Sequence, residues 1–144
     1  MMRYPFMFIA GLALLGFLAC KKSSSGSSDA RTMANMSGTY DLTAISGSVL
    51  GQTINLYDSL PACEQDNKII LSANGDAQFK DAGTVCAPPS DSSSTWSLSS
   101  KGDSIYLGGE ANAIQSFNGK VLVVTTSETV SSFPVTVTTT LTKE

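Results

Sequence analysis

No histidine occurs anywhere in the chain. That removes the commonest general base and the commonest metal ligand. Ser-His-Asp and Cys-His arrangements and any His-bearing zinc site are excluded with it. No lysine follows a serine at the spacing of a Ser-x-x-Lys nucleophile pair. Basic clusters are also missing, because beyond Lys21-Lys22 no two cations adjoin. Nucleic acid is therefore not an expected partner. Charge as a whole is sparse, at 15% of residues with a formal net charge of −3. No window of helical length carries an i, i+3, i+4 apolar stripe. The expectation from these absences is a β protein with no cofactor, no metal and no catalytic role.

One long apolar run is present, and it lies at the start. Arg3 precedes residues 6–19, which carry no charge, and Lys21-Lys22 ends the run. One early cation followed by a short apolar stretch has the layout of a secretion signal. The run is shorter than the roughly 20 residues that a spanning helix needs. Leu15-Gly16-Phe17-Leu18-Ala19-Cys20 resembles the lipobox of bacterial lipoproteins, with Phe17 where Leu is usual. The looser form is common in lipoproteins of the Bacteroidota. The resemblance implies that residues 1–19 are a lipoprotein signal peptide and that the Cys20 thiol carries the lipid, palmitate included. The Cys20 lipid then makes the membrane a partner of the chain. Each buried methylene contributes about 0.8 kcal/mol, and one chain alone anchors only reversibly, so several chains are needed for permanent attachment.

Residues 20–36 open with Lys21-Lys22 and a Ser/Gly-rich stretch, a composition that reads as a flexible tether. The folded domain is expected over 37–144. Lipoproteins of this group often reach the outer membrane, which is the expected location. No acid occurs between Cys20 and Asp29, and the choice between periplasmic and surface faces stays open. With Cys20 committed to lipid, Cys63 and Cys86 remain as an even pair in an oxidising compartment, and a disulfide between them is predicted.

Within the domain the period is two. Phe133, Val135, Val137 and Leu141 fall on one face of a segment whose other face is Pro134, Thr136, Thr138 and Thr140. Such alternation with β-branched residues marks a half-buried strand. Asn74-Gly75, Asn118-Gly119, Lys101-Gly102-Asp103 and Gly108-Gly109 separate further strand-like runs at short intervals. Thr39–Ser46 and, more weakly, Gln52–Leu56 precede them, whereas Ala87–Ser94 reads as an exposed loop. The count is about eight strands, joined by short links. Such a sheet can close on itself as an antiparallel up-and-down (meander) barrel, which abolishes free edges. A two-sheet sandwich has the same periodicity.

An ordered set of segments is similar to the lipocalin-like domains of Bacteroidota lipoproteins. Ser37-Gly38-Thr39-Tyr40 resembles the opening Gly-x-Trp, with Tyr40 in place of Trp. Cys63-Glu64-Gln65-Asp66-Asn67 resembles the first cysteine segment, and Ser72-Ala73-Asn74-Gly75-Asp76 the strand-turn-strand that follows. Cys86, Thr95-Trp96-Ser97-Leu98 and Leu141-Thr142-Lys143 fall where the second cysteine, the Trp-bearing strand and the closing strand are expected. The resemblance implies an all-β barrel of lipocalin/calycin type whose interior can hold a small apolar molecule.

Candidate interior residues are Tyr40, Leu42, Ile70, Phe79, Trp96, Leu98, Leu107, Phe117, Val135 and Val137, all assigned on one assumed parity. The alternative role is a filled barrel that serves as a structural or interaction module of the envelope, docked to another protein there. Asp58, Glu64, Asp66, Asp76, Asp81 and Asp103 could supply a carboxylate pair for glycoside chemistry. All of them lie in or beside turns, where solvated acids are expected.

Overall fold

The computed structural model describes residues 30–130 and 132–144. The expected signal peptide, Cys20 and most of the tether lie outside the described residues. Nine strands form one antiparallel sheet: β1 Gly38–Val49, β2 Gln52–Asn55, β3 Lys68–Leu71, β4 Asp76–Lys80, β5 Ser92–Leu98, β6 Ser104–Leu107, β7 Glu110–Phe117, β8 Val121–Val130 and β9 Phe133–Lys143. From β3 to β9 each strand pairs with the next, and β9 pairs back onto β1, which also pairs with β3. Eight strands therefore close a barrel, and β2 is an extra strand on the far half of β1. Closure leaves the long β1–β9 and β8–β9 ladders with no free edge between them.

Glycine turns set the corners, though not in the tightest form that Asn-Gly allows. At Ser72–Gly75 only the glycine takes positive φ (96°), and its N–H returns to Ser72 O at 3.0 Å. Gly119 also takes positive φ (85°), after Asn118, whose side-chain oxygen accepts from Lys120 N and Val121 N. β5 begins at Ser92, so Ser92–Ser94, expected in a loop, form strand opposite Phe79, Gln78 and Ala77. The pairing supplies backbone partners that serine-rich composition alone does not reveal.

The core sits at the end where β1 starts. Leu42, Leu141, Leu122 and Phe117 stand in one cross-strand row. Ile114, Val124, Ile105, Leu71, Ala77 and Trp96 complete the packed cluster. Each large side chain fully buried here contributes about 1.5–3 kcal/mol. The indole of Trp96 donates to Ser72 O at 2.7 Å, and the Tyr40 hydroxyl donates to Met36 O at 2.6 Å. Burial pushes the Tyr40 phenol up to about 12.

A helical turn, α1 Met33–Met36, plugs this end, with Thr32 Oγ1 capping Asn35 N. Met36 is fully buried and Met33 packs beside it. The Arg31 guanidinium donates to the carbonyls of Gly102, Ile114 and Gln115. The folded unit therefore starts before Ser37, and residues 30–36, expected as tether, belong to the barrel floor. The physical reason is Met36, whose apolar side chain fills the space between Tyr40 and the β-turns. Gly38 follows with φ 150°, and a Cβ there would collide with the Lys143 side-chain stem.

Two bulges shift the inward parity. On β1 the register slips between Leu42 and Ala44, so Ile45 and Gly47 continue the inner face. On β7 it slips between Ile114 and Ser116, which brings both Ile114 and Phe117 inside. A bulge inserts one unpaired residue and so changes which side chains face the interior.

Candidate functional site

The other end of the barrel is open. Its wall carries a cavity of about 320 Å³ lined by Leu42, Ile45, Leu60, Ile69 and Phe79, with Glu64, Asn67, Lys68, Lys80 and Ser90 also on its lining. The apolar set comes from the inner rows. Ile69 pairs with both Tyr40 and Phe79, and Leu42 and Ile45 flank the β1 bulge.

The segment between β2 and β3 covers one side. It contains a 3-10 turn, Tyr57–Ser59, and a short helix, α2 Ala62–Gln65. Gln65 Nε2 donates to Leu60 O and Tyr57 O, and the Tyr57 hydroxyl donates to Gln65 O. These bonds hold Leu60 and Glu64 over the mouth. The predicted disulfide is present: Cys63 of α2 is bonded to Cys86, with Cα atoms 5.2 Å apart. It ties the cover to loop 81–91, which contributes Ser90 to the lining.

Carboxylates hold that loop. Asp81 accepts from Cys86 N and Ser90 N, and Asp66 Oδ2 accepts from Thr84 N at 2.7 Å. Asp91 accepts from Asp81 N and from Lys80, and these donors hold its carboxyl below the usual range. Three of the other acids considered for catalysis are occupied similarly. Asp58 accepts from Asn55 Nδ2, Asp76 from Asn74 Nδ2, and Asp103 from the Ser99 hydroxyl, which is the main cause of its lowered pKa. Among the described residues no group of three or more His, Cys, Asp or Glu could hold a metal ion.

The lysines on the lining also have partners. Lys68 Nζ contacts Asp41 at 2.8 Å and also Glu144, and its pKa is raised by both carboxylates. Lys80 reaches Asp91 at 3.2 Å. Two polar atoms stand apart. Asp66 Oδ1 and Asn67 Oδ1 are buried without a hydrogen-bond partner among the described residues. Asn67 lines the cavity, but its Oδ1 is enclosed by protein and is not presented to that space. A buried acceptor left unpaired costs roughly 1–3 kcal/mol.

The candidate interior residues sort by depth. Tyr40, Trp96 and Phe117 are buried in the packed half, with Leu98 and Leu107 against them. Leu42 and Phe79 line the cavity. Val135 and Val137 are half-buried and stand beyond it, opposite Val49 and Gly47 on β1. Ile70 is corrected. It pairs with Thr39 and Gln78, out of phase with the Tyr40–Ile69–Phe79 row, and faces outward. The run Ile69-Ile70-Leu71 is apolar at every position and gives no alternation to read. Ile45, Leu60, Ile69 and Asn67 were not singled out from the sequence. Ile45 is hidden by the bulge, and the other three by the irregular segment or by that unbroken apolar run.

A second depression, of about 440 Å³, lies around Asn74, Gly75, Thr95, Trp96, Ser97, Tyr106 and Gly109. It is larger but involves turn residues and outward positions such as Thr95, Ser97 and Tyr106. The first has the inward apolar wall and the cover, and is the better candidate site. No family model, curated protein or solved structure matches the chain.

Proposed function

We propose that this protein is a membrane-anchored, lipocalin-like lipoprotein whose barrel mouth holds a small, mostly apolar molecule. The observation that carries the reading is the covered cavity of about 320 Å³, apolar along Leu42, Ile45, Leu60, Ile69 and Phe79. Its volume falls at the small end of the roughly 300–1,000 Å³ of ligand pockets. Anchoring is supported by the sequence around Cys20, and the disulfide fits an oxidising compartment.

Native mass spectrometry of the chain purified from membranes tests the ligand. We expect a co-purifying small molecule that is lost in Ile45→Trp, which fills the cavity, and kept in Ile70→Trp, which faces outward. A wild-type chain that carries nothing favours the filled structural barrel instead. Anchoring is tested separately by incorporation of labelled palmitate, which Cys20→Ala should abolish.

A further inference from the structure

An apolar path leads out of the cavity toward the open end. Beyond Ile45 the inner face of β1 continues as Gly47, where a Cβ would meet Leu56 Cδ1 at 3.1 Å, and then Val49. β9 sets Val137 and Val135 opposite these positions. The path ends at the tips of two neighbouring hairpins. There Leu50 is 74% exposed, Ile54 57%, Val130 53% and Phe133 50%, which makes them four of the six exposed large hydrophobics among the described residues. Both tips hold a non-glycine residue at positive φ, Leu50 at 49° and Ser132 at 72°.

The surroundings restrict what can cover these tips. Residues 42–57 contain no charged side chain, and residues 121–142 contain one, Glu128. A charged partner therefore finds nothing to pair with except one carboxylate. A stable protein interface takes roughly 20–30 residues a side, far more than four side chains on two hairpin ends. Shallow insertion of a few apolar side chains among acyl chains needs no such area, and its contribution scales with the apolar surface buried.

Reach is sufficient. Arg31 and α1 place the start of the described chain at the closed end. The ten residue-to-residue steps from Cys20 to Ala30 span at most ~36 Å. A twelve-residue strand tilted by about 40° rises ~30 Å along a barrel axis.

We propose that the β1–β2 and β8–β9 hairpin tips dock onto the surface of a zwitterionic lipid bilayer through Leu50, Ile54, Val130 and Phe133. The inference rests on the anchoring reading only for proximity to the bilayer, and it does not depend on a ligand in the cavity. Docking sets the apolar path from the cavity against the acyl region. Glu128 makes anionic lipid no help.

The test uses the full chain reconstituted into phosphatidylcholine vesicles, with and without brominated acyl chains. Phe133→Trp places a reporter at the tip, and Tyr106→Trp places one on the outer wall. The native Trp96 is buried at the closed end. We expect brominated lipid to quench Phe133→Trp at least twofold more than Tyr106→Trp. Replacing a quarter of the lipid with phosphatidylglycerol should not strengthen the effect. Adding Leu50→Ser, Ile54→Ser and Val130→Ser to Phe133→Trp should abolish it. Flotation of the same samples reports anchoring independently. A chain that floats with Phe133→Trp unquenched overturns docking and leaves anchoring intact. A chain that does not float, with the reporter unquenched, overturns both. Tip fluorescence that shifts with protein concentration in the absence of vesicles assigns the patch to a second copy and overturns docking.

Discussion

The two ends of the barrel are made by the same strands and differ in nearly everything else. At the closed end Tyr40, Met36, Trp96 and Leu122 pack without exposure beyond a few percent, and α1 and Arg31 complete the floor. At the open end the inner faces of β1 and β9 carry glycine, valine and threonine, and the space they leave is covered by a disulfide-tied segment with little regular structure. The contrast teaches that tight packing and open space are separated along the barrel axis. A packed half supplies the folding energy, so the other half can keep an unfilled space.

Core truncation should break that division most severely if it is wrong. Trp96→Ala is expected to cost about 3–5 kcal/mol in denaturant unfolding, because a large ring and its bond to Ser72 are lost. Ile45→Ala, on the wall of an existing cavity, should cost about 2 kcal/mol, the low end for such a truncation. Equal losses would show that the open half is as tightly packed as the closed half.

Removing the disulfide acts on the open end. Cys63→Ala with Cys86→Ala should lower stability by about 3 kcal/mol through the freed chain entropy, and it should also release the cover that Leu60 contributes. Retention of the co-purifying molecule in this variant would show that the cover is not part of the site.

Tyr40 sharpens the picture of the closed end through pH. Below about pH 10, near the unfolded phenol value, its contribution is fully present. As pH rises toward the folded value of about 12, the unfolded chain releases the proton first and stability falls by about 2–3 kcal/mol. Lys68 acts in the same direction, so the difference between wild type and Tyr40→Phe in unfolding titrations isolates the phenol. The smallest effect is expected from Thr32→Ala, about 1 kcal/mol, from loss of the α1 cap. A loss near zero would mean that the plug is held by Met36 and Arg31 alone.

Much of this architecture was legible in the sequence. The glycine turns at 75, 102, 108–109 and 119 placed most strand ends, and alternation in β9 placed its inner face. The parity of β1 was readable only up to Leu42, because nothing in Thr43-Ala44 announces a bulge. Ile70 was misplaced because its strand is apolar on both faces. The Met33–Met36 plug was hidden by its position after a serine-rich stretch, where a single buried methionine has no periodic partner. Most of the cavity wall was out of reach for a related reason. Leu60 and Asn67 belong to an irregular segment whose path is set by hydrogen bonds from Gln65 and Tyr57 and by the disulfide, and none of these leaves a period in the sequence.

The pairing of β1 with β9 has a consequence for the order of assembly. Ser46 meets Thr138, and Tyr40 meets Lys143, both far later in the sequence. A polypeptide made from its N-terminus exposes one long flank of its first strand until the last has been synthesised, and such distant pairings form slowly. During that interval β1 is the segment most open to mispairing with other chains. The short hairpin it makes with β2 lies on the opposite flank, so it leaves unshielded the whole side of residues 40–49 that β9 later covers.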